Sequence, residues 1–142
     1  MLSQKAKYAL QALAHLASHY KDDAPVLIGT IANERRIPIK FLEAILVQLR
    51  NHNILTSVRG RGGGYRLADN PKKISLARVI RAVDGPIAML SCVSLNFYEP
   101  CDNCNEKTCG INPVMAEARD AVLKVLEKRT LNDIKDVMHF FG

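Results

Sequence analysis

The chain has 142 residues, a formal charge of +6 and an apolar content of 48%. That length suits one compact domain, or one domain with a long appendage, and the apolar fraction suffices for a core. No run approaches the ~20 apolar residues of a membrane span, and Met1-Leu2-Ser3-Gln4-Lys5 has no apolar signal core, so the expected location is cytoplasmic, with no membrane partner.

The charge is uneven. Residues 1–91 hold fourteen Lys or Arg against six Asp or Glu, while residues 92–142 hold six against eight. A basic front and a mildly acidic back fit a head that meets a polyanion and a tail with another task.

In chain order, Ala6, Ala9, Leu10, Leu13, Leu16, Ala17 and Tyr20 recur at helical spacing. An amphipathic helix is expected from Ser3, a suitable N-cap, to about Tyr20. Ser3, Lys5 and Tyr8 stand at its start, where a helix end can approach phosphates. His15 and His19 lack the glutamate of a zinc-protease pair and read as flanking surface histidines. A turn at Lys21–Pro25 leads through a short extended Val26-Leu27 to a brief helix over about Ile31–Arg35.

Ile37-Pro38 breaks that helix, and Pro38 suits the first turn of the next, which runs to about Asn51. Phe41, Leu42, Ile45, Leu46 and Leu49 are its expected buried stripe. Lys40, Glu43, Ala44 and Val47 fall opposite. Ser57–Leu67 then reads as two short strands around a tip with Gly60, Gly62, Gly63 and Gly64. Arg59, Arg61 and Arg66 make that hairpin cationic. A phosphate-binding loop would need Lys and Ser or Thr after its last glycine, and Tyr65-Arg66-Leu67 stands there instead.

Short helix, tight turn, second helix and hairpin outline a winged helix-turn-helix. The second helix of such a head enters the major groove N-terminal end first, which makes Ile39, Lys40, Glu43 and Ala44 the candidate base-facing residues. Lys40 can donate to guanine, and Glu43 can accept from cytosine. Arginine at a thin hairpin tip is favoured in a narrow minor groove, which suits Arg59 and Arg61.

Ser75 caps an expected helix over Leu76–Val83, closed by Asp84-Gly85-Pro86. The four cysteines follow, Cys92, Cys101, Cys104 and Cys109, with eight, two and four residues between them. Clustered thiols without a secretion signal indicate metal or redox chemistry rather than a disulfide staple. Soft thiolates suit an iron–sulfur cluster or zinc, and redox-active thiols or disulfides stay open. A long helix is expected over Val114–Lys128, apolar beyond one stripe and so suited to a second subunit. Thr130 with Asp133 forms a capping box for a short final helix. Cys101-Asp102-Asn103-Cys104 lacks the βαβ setting of a redox enzyme, and no acid–base constellation is evident, so an enzyme is not expected.

The fold expected is mainly α with a small β-wing. Residues 1–86 would form the DNA-binding head, 87–112 a cysteine-rich loop, and 113–142 the dimerisation helix and tail.

With these residues in view, the chain resembles the Rrf2 family of bacterial winged-helix transcription regulators over almost its whole length. The resemblance is carried by Leu2–Leu10, by Ile37-Pro38 through Leu49-Arg50, by Val58-Arg59-Gly60 with Gly62-Gly63-Gly64-Tyr65, and by Val83-Asp84-Gly85-Pro86. It implies a homodimer on double-stranded DNA with a palindromic operator, a recognition helix bearing Lys40, Glu43 and Ala44, and a wing with Arg59 in the minor groove. It also implies an iron–sulfur cluster, [2Fe–2S] or [4Fe–4S], held in the cysteine loop as many members hold one. Cys92 matches the first ligand position, Cys109 the last, and Cys101 or Cys104 the middle. The family's usual five-and-five spacing is absent, and Asn112 stands where one branch has a histidine. A cluster-free or zinc-bound regulator sensing oxidants through its thiols is the alternative.

Overall fold

The structure is a computed structural model that describes residues 2–102 and 105–135. Helix α1 (Gln4–Ser18) starts at Ser3, whose side chain accepts from the Ala6 amide at 3.0 Å. Its inner face is built from Ala6, Ala9, Ala12, Leu13, Leu16 and Ala17. These mostly small side chains let neighbouring backbones approach closely, and α1 becomes the central strut of the head.

His15 also lies on that inner face, only 6% exposed, which corrects the expectation of a surface histidine. Its Nδ1 accepts from Arg35 Nε at 3.4 Å, while Nε2 is buried with no hydrogen-bond partner among the described residues. Loss of hydration on burial lowers its pKa, and the nearby positive charges of His19 and Arg35 lower it further.

Helix α2 (Ile28–Arg35) begins earlier than its composition suggests. The Leu27 carbonyl receives both the Thr30 and Ile31 amides, at 3.1 and 3.2 Å, so the weak helix formers Gly29 and Thr30 are carried in its first turn. Arg36 turns the chain in a left-handed conformation, φ 54°. Helix α3 (Ile39–Asn51) follows Pro38 and buries Leu42, Ile45, Leu46 and Leu49. Phe41 departs from the expected stripe and is 44% exposed. At ~100° per residue it falls on the flank, where it meets Tyr8 edge-on with ring centroids 5.6 Å apart.

Strands β1 (Leu55–Val58) and β2 (Gly64–Leu67) pair antiparallel, with Leu55 opposite Leu67 and Val58 opposite Gly64. Val26 pairs with Tyr65 on the other edge of β2 through two backbone bonds of 2.8 Å. The wing is thereby fastened to Val26, two residues ahead of α2. Gly64, φ +148°, permits this approach: a Cβ there would lie 2.2 Å from the Val26 carbonyl oxygen.

Helix α4 (Leu76–Asp84) is capped by Ser75, which accepts from the Arg78 amide at 3.1 Å. Gly85 ends it at φ 85°. Helix α5 (Ile111–Lys128) starts two residues ahead of Pro113, because a proline in the first turn lacks only an N–H that the helix would not use. Leu123 is its buried residue, and Val114, Val122 and Val125 are exposed.

The chain then returns to the head. Thr130 and Asp133 form the expected capping box for α6 (Leu131–Ile134). The Leu131 amide bonds Ile74 O at 3.0 Å, and the Leu76 amide bonds Arg129 O at 2.9 Å. Leu131 is fully buried with Leu13, Ile31, Leu42, Leu46, Leu49 and Ile74. Each such side chain contributes roughly 1.5–3 kcal/mol, so the segment after α5 belongs to the head's core.

Candidate nucleic-acid interface and cysteine loop

Burial of one stripe of α3 leaves Ile39, Lys40, Glu43, Ala44 and Val47 exposed on its other side. Ile54 and Leu55 carry the core directly from α3 into the wing. At the wing tip, Arg59 and Arg61 are both exposed. Gly60 and Gly62 take φ of +94° and +71°, and the Gly63 amide bonds Gly60 O at 3.0 Å to close the turn. Arg66, part of the same cationic stretch, is engaged elsewhere: its Nη1 lies 3.6 Å from Asp23 Oδ1 and 3.4 Å from Asp23 O.

At the start of α1, Lys5 and Tyr8 are half-buried and Lys7 is exposed. Ser3 has a fixed job. Its backbone N–H donates to Asp84 Oδ2 at 3.1 Å, and its hydroxyl donates to Asp84 Oδ1. The hydroxyl proton is therefore used inside the protein, and Ser3 acts by holding the end of α1 in place. Tyr8 touches α3 through Phe41.

Gln48 and Arg78 tie this head together. Gln48 Nε2 donates to Ala82 O at 2.9 Å, joining α3 to the last turn of α4. Arg78 Nη2 donates to Asn53 O at 3.1 Å, bracing the turn after α3. Asn53 has φ 61°, a left-handed position that asparagine tolerates. The C-terminal turn of α4 thus holds α1 through Asp84 and α3 through Gln48, just where the chain enters the cysteine loop.

Cys92 lies buried in a single 3-10 turn, Ser91–Val93. Asn112 Nδ2 is 3.5 Å from its Sγ, and Arg119 Nη1 donates to Val93 O at 2.7 Å. Two residues of α5 therefore pin the first cysteine. Cys101 and Cys109 are half-buried in the loop that follows, and Cys104 lies outside the described residues. The Tyr98 hydroxyl donates to the Glu106 carboxylate across this loop, which raises the phenol's pKa. The donor set, thiols alone, suits an iron–sulfur cluster chemically. Among the described residues, which leave out Cys104, no three His, Cys, Asp or Glu form a metal-holding group.

No helix among the described residues is long and apolar enough to cross a membrane. The family model described as Rrf2, iron-dependent transcriptional regulator, matches residues 2–136. A helix-turn-helix-type regulator described as rrf2-like, from Rhodobacter capsulatus, is 42% identical over 94% of this chain and 91% of its own length. Among solved structures, CymR, the global cysteine regulator of B. subtilis, superposes with a TM-score of 0.78 at 28% identity, covering 95% of each chain. IscR of T. potens superposes with a TM-score of 0.76 at 27% identity, covering 96% of this chain and 88% of that one. The relatives so described are transcriptional regulators, not enzymes. The chain belongs to the Rrf2 family of winged-helix, DNA-binding transcriptional regulators.

Proposed function

We propose that the protein is a homodimeric regulator that binds a palindromic operator, and that the state of its cysteine loop sets its affinity. The observation that carries the DNA reading is the exposed outer face of α3, with Lys40, Glu43 and Ala44, running directly into a wing that ends in exposed Arg59 and Arg61. Salt-dependent affinity comes from the basic head, and sequence preference from α3 and Arg59.

The dimer reading rests on α5. Ile111, Val114, Val122 and Val125 are exposed along it. Their spacing approximates the seam of a two-helix coil. Two such helices crossing would place two heads at a fixed separation, as a palindromic operator demands.

The cysteines, Cys92, Cys101, Cys104 and Cys109, are read as holding an iron–sulfur cluster. That group would supply sensitivity to iron, oxidants or nitric oxide. The rest lies with the chain's own residues. Asn112 and Arg119 fasten residues 92–93 to α5, while Gly85 joins the loop to α4. Any change in loop shape is felt at the α4 terminus, where Asp84 and Gln48 hold the start of α1 and the recognition helix. A bias of one or two kcal/mol at that joint changes operator occupancy roughly 5- to 30-fold.

Direct thiol sensing without a cluster is the second reading. The likeness to CymR, described as a global cysteine regulator, favours it.

The deciding experiment is iron, sulfide and zinc content with a visible spectrum, on protein purified without oxygen. Matched iron and sulfide with visible absorption support the cluster. A colourless protein that stays iron-free after reconstitution, and binds its operator only when reduced, supports thiol sensing. Failure to bind any duplex in either state would remove the DNA reading itself.

A further inference from the structure

The outer face of α3 carries little charge for a surface that meets DNA. Its buried stripe is Leu42, Ile45, Leu46 and Leu49. At ~100° per residue, Lys40, Ala44 and Val47 point the opposite way, with Glu43 beside them. Ile39 is 47% exposed and Val47 38%, and Ala44 is exposed between them.

Val47 is the telling residue. A β-branched side chain is a mediocre helix former, and in mid-helix Val47 lies outside the head's core cluster and is 38% exposed. A lysine or glutamate would hold the helix better and keep it hydrated. Apolar side chains here lower the free energy only when a partner covers them. In a DNA-binding head whose exposed tip residues are arginines, that partner is the major groove. The groove's own apolar element is the thymine C5-methyl, which alanine and similar side chains contact. The rise of ~1.5 Å per residue sets Ala44 and Val47 ~4.5 Å apart along the helix, comparable with the ~3.4 Å step between base pairs.

We propose that Ala44 and Val47, with Ile39 at the rim, read thymine methyl groups at neighbouring steps of each half-site, while Lys40 and Glu43 read polar base edges. The inference rests on the reading of α3 as the recognition helix and specifies the base chemistry that it selects.

The test uses the full chain, reduced and kept anaerobic, to select duplexes from a random library. Each thymine of the enriched half-site is then replaced by deoxyuridine, which removes only the methyl group. One or two positions are expected to lose about 3- to 5-fold in affinity. Val47→Ala, which improves helix propensity and so keeps the fold, should weaken binding to the thymine duplex and leave binding to the matching deoxyuridine duplex unchanged. A half-site that tolerates every replacement, or one without thymine, overturns the methyl reading while α3 remains the recognition helix. Enrichment of no duplex at all overturns both.

Discussion

The backbone N–H of Ser3 and its hydroxyl both donate to the carboxylate of Asp84, across 81 residues of sequence. The start of α1 is thereby fastened to the end of α4, next to the point where Gln48 of α3 is held by Ala82 O. Asp84→Ala should destabilise the fold by roughly 1–3 kcal/mol, since it strands two donors at a half-buried joint. Ser3→Ala also loses the helix cap, at about 1 kcal/mol. Urea denaturation of both single variants and the double should show a coupling above ~0.5 kcal/mol. Strict additivity would mean that the two residues act separately.

Gly64 sits where no side chain fits. Its substitution Gly64→Ala forces a Cβ to within 2.2 Å of Val26 O and must break the Val26–Tyr65 pairing. A loss of roughly 2–4 kcal/mol is expected, together with loss of DNA binding. Gly62→Ala meets no atom within 4 Å, although its φ is +71°. It should cost only about 1–2 kcal/mol of left-handed strain. Thermal melts of the two variants side by side check the order; equal losses would contradict it.

Arg59 and Arg61 are exposed at the wing tip. Arg59→Ala should leave the melting temperature unchanged and weaken operator binding. The slope of log affinity against log salt should fall by about 1 for a lost backbone contact. Titrations at several salt concentrations measure this. Wild-type slope and affinity in the variant would exclude the wing from the complex.

His15 is buried with its pKa lowered, first by desolvation and then by the charges of His19 and Arg35. The folded protein therefore binds fewer protons at this site than the unfolded chain. Its contribution is fully present above the unfolded histidine pKa of ~6.5 and is lost as pH falls towards the lower folded value. Protonation also removes the Nδ1 acceptor that Arg35 Nε uses. Denaturation midpoints should fall between about pH 7.5 and pH 5, and His15→Gln should flatten that dependence. Identical pH profiles for both proteins would place the titrating group elsewhere.

The winged head was largely legible in the residues. Apolar spacing announced α1, α3 and α4, because a helix that buries one face must repeat near 3.6 residues. Ser3, Ser75 and Thr130 announced helix starts, because their side chains satisfy amides that the first turn leaves open. The glycine-rich arginine stretch announced the wing. Phe41 and His15 were misplaced for opposite reasons. Phe41 is apolar, yet it lies on an exposed flank beside Tyr8. His15 is polar, yet it lies on the inner face, where α2 brings Arg35 to it.

By itself, then, the sequence determined which segments form elements, where the charge lies and where the thiols cluster, since each is a property of neighbouring residues. Tertiary structure alone decided the long-range joints: Ser3 with Asp84, Gln48 with Ala82, Val26 with Tyr65, Arg119 with Val93. It also brought Leu131 back into the core beside Leu13 and Ile74, so that the segment after α5 completes the head. Hydrogen bonds between residues far apart leave no periodic trace along a chain. They exist only once burial of the shared apolar faces has brought their donors and acceptors together and excluded the water that would otherwise compete.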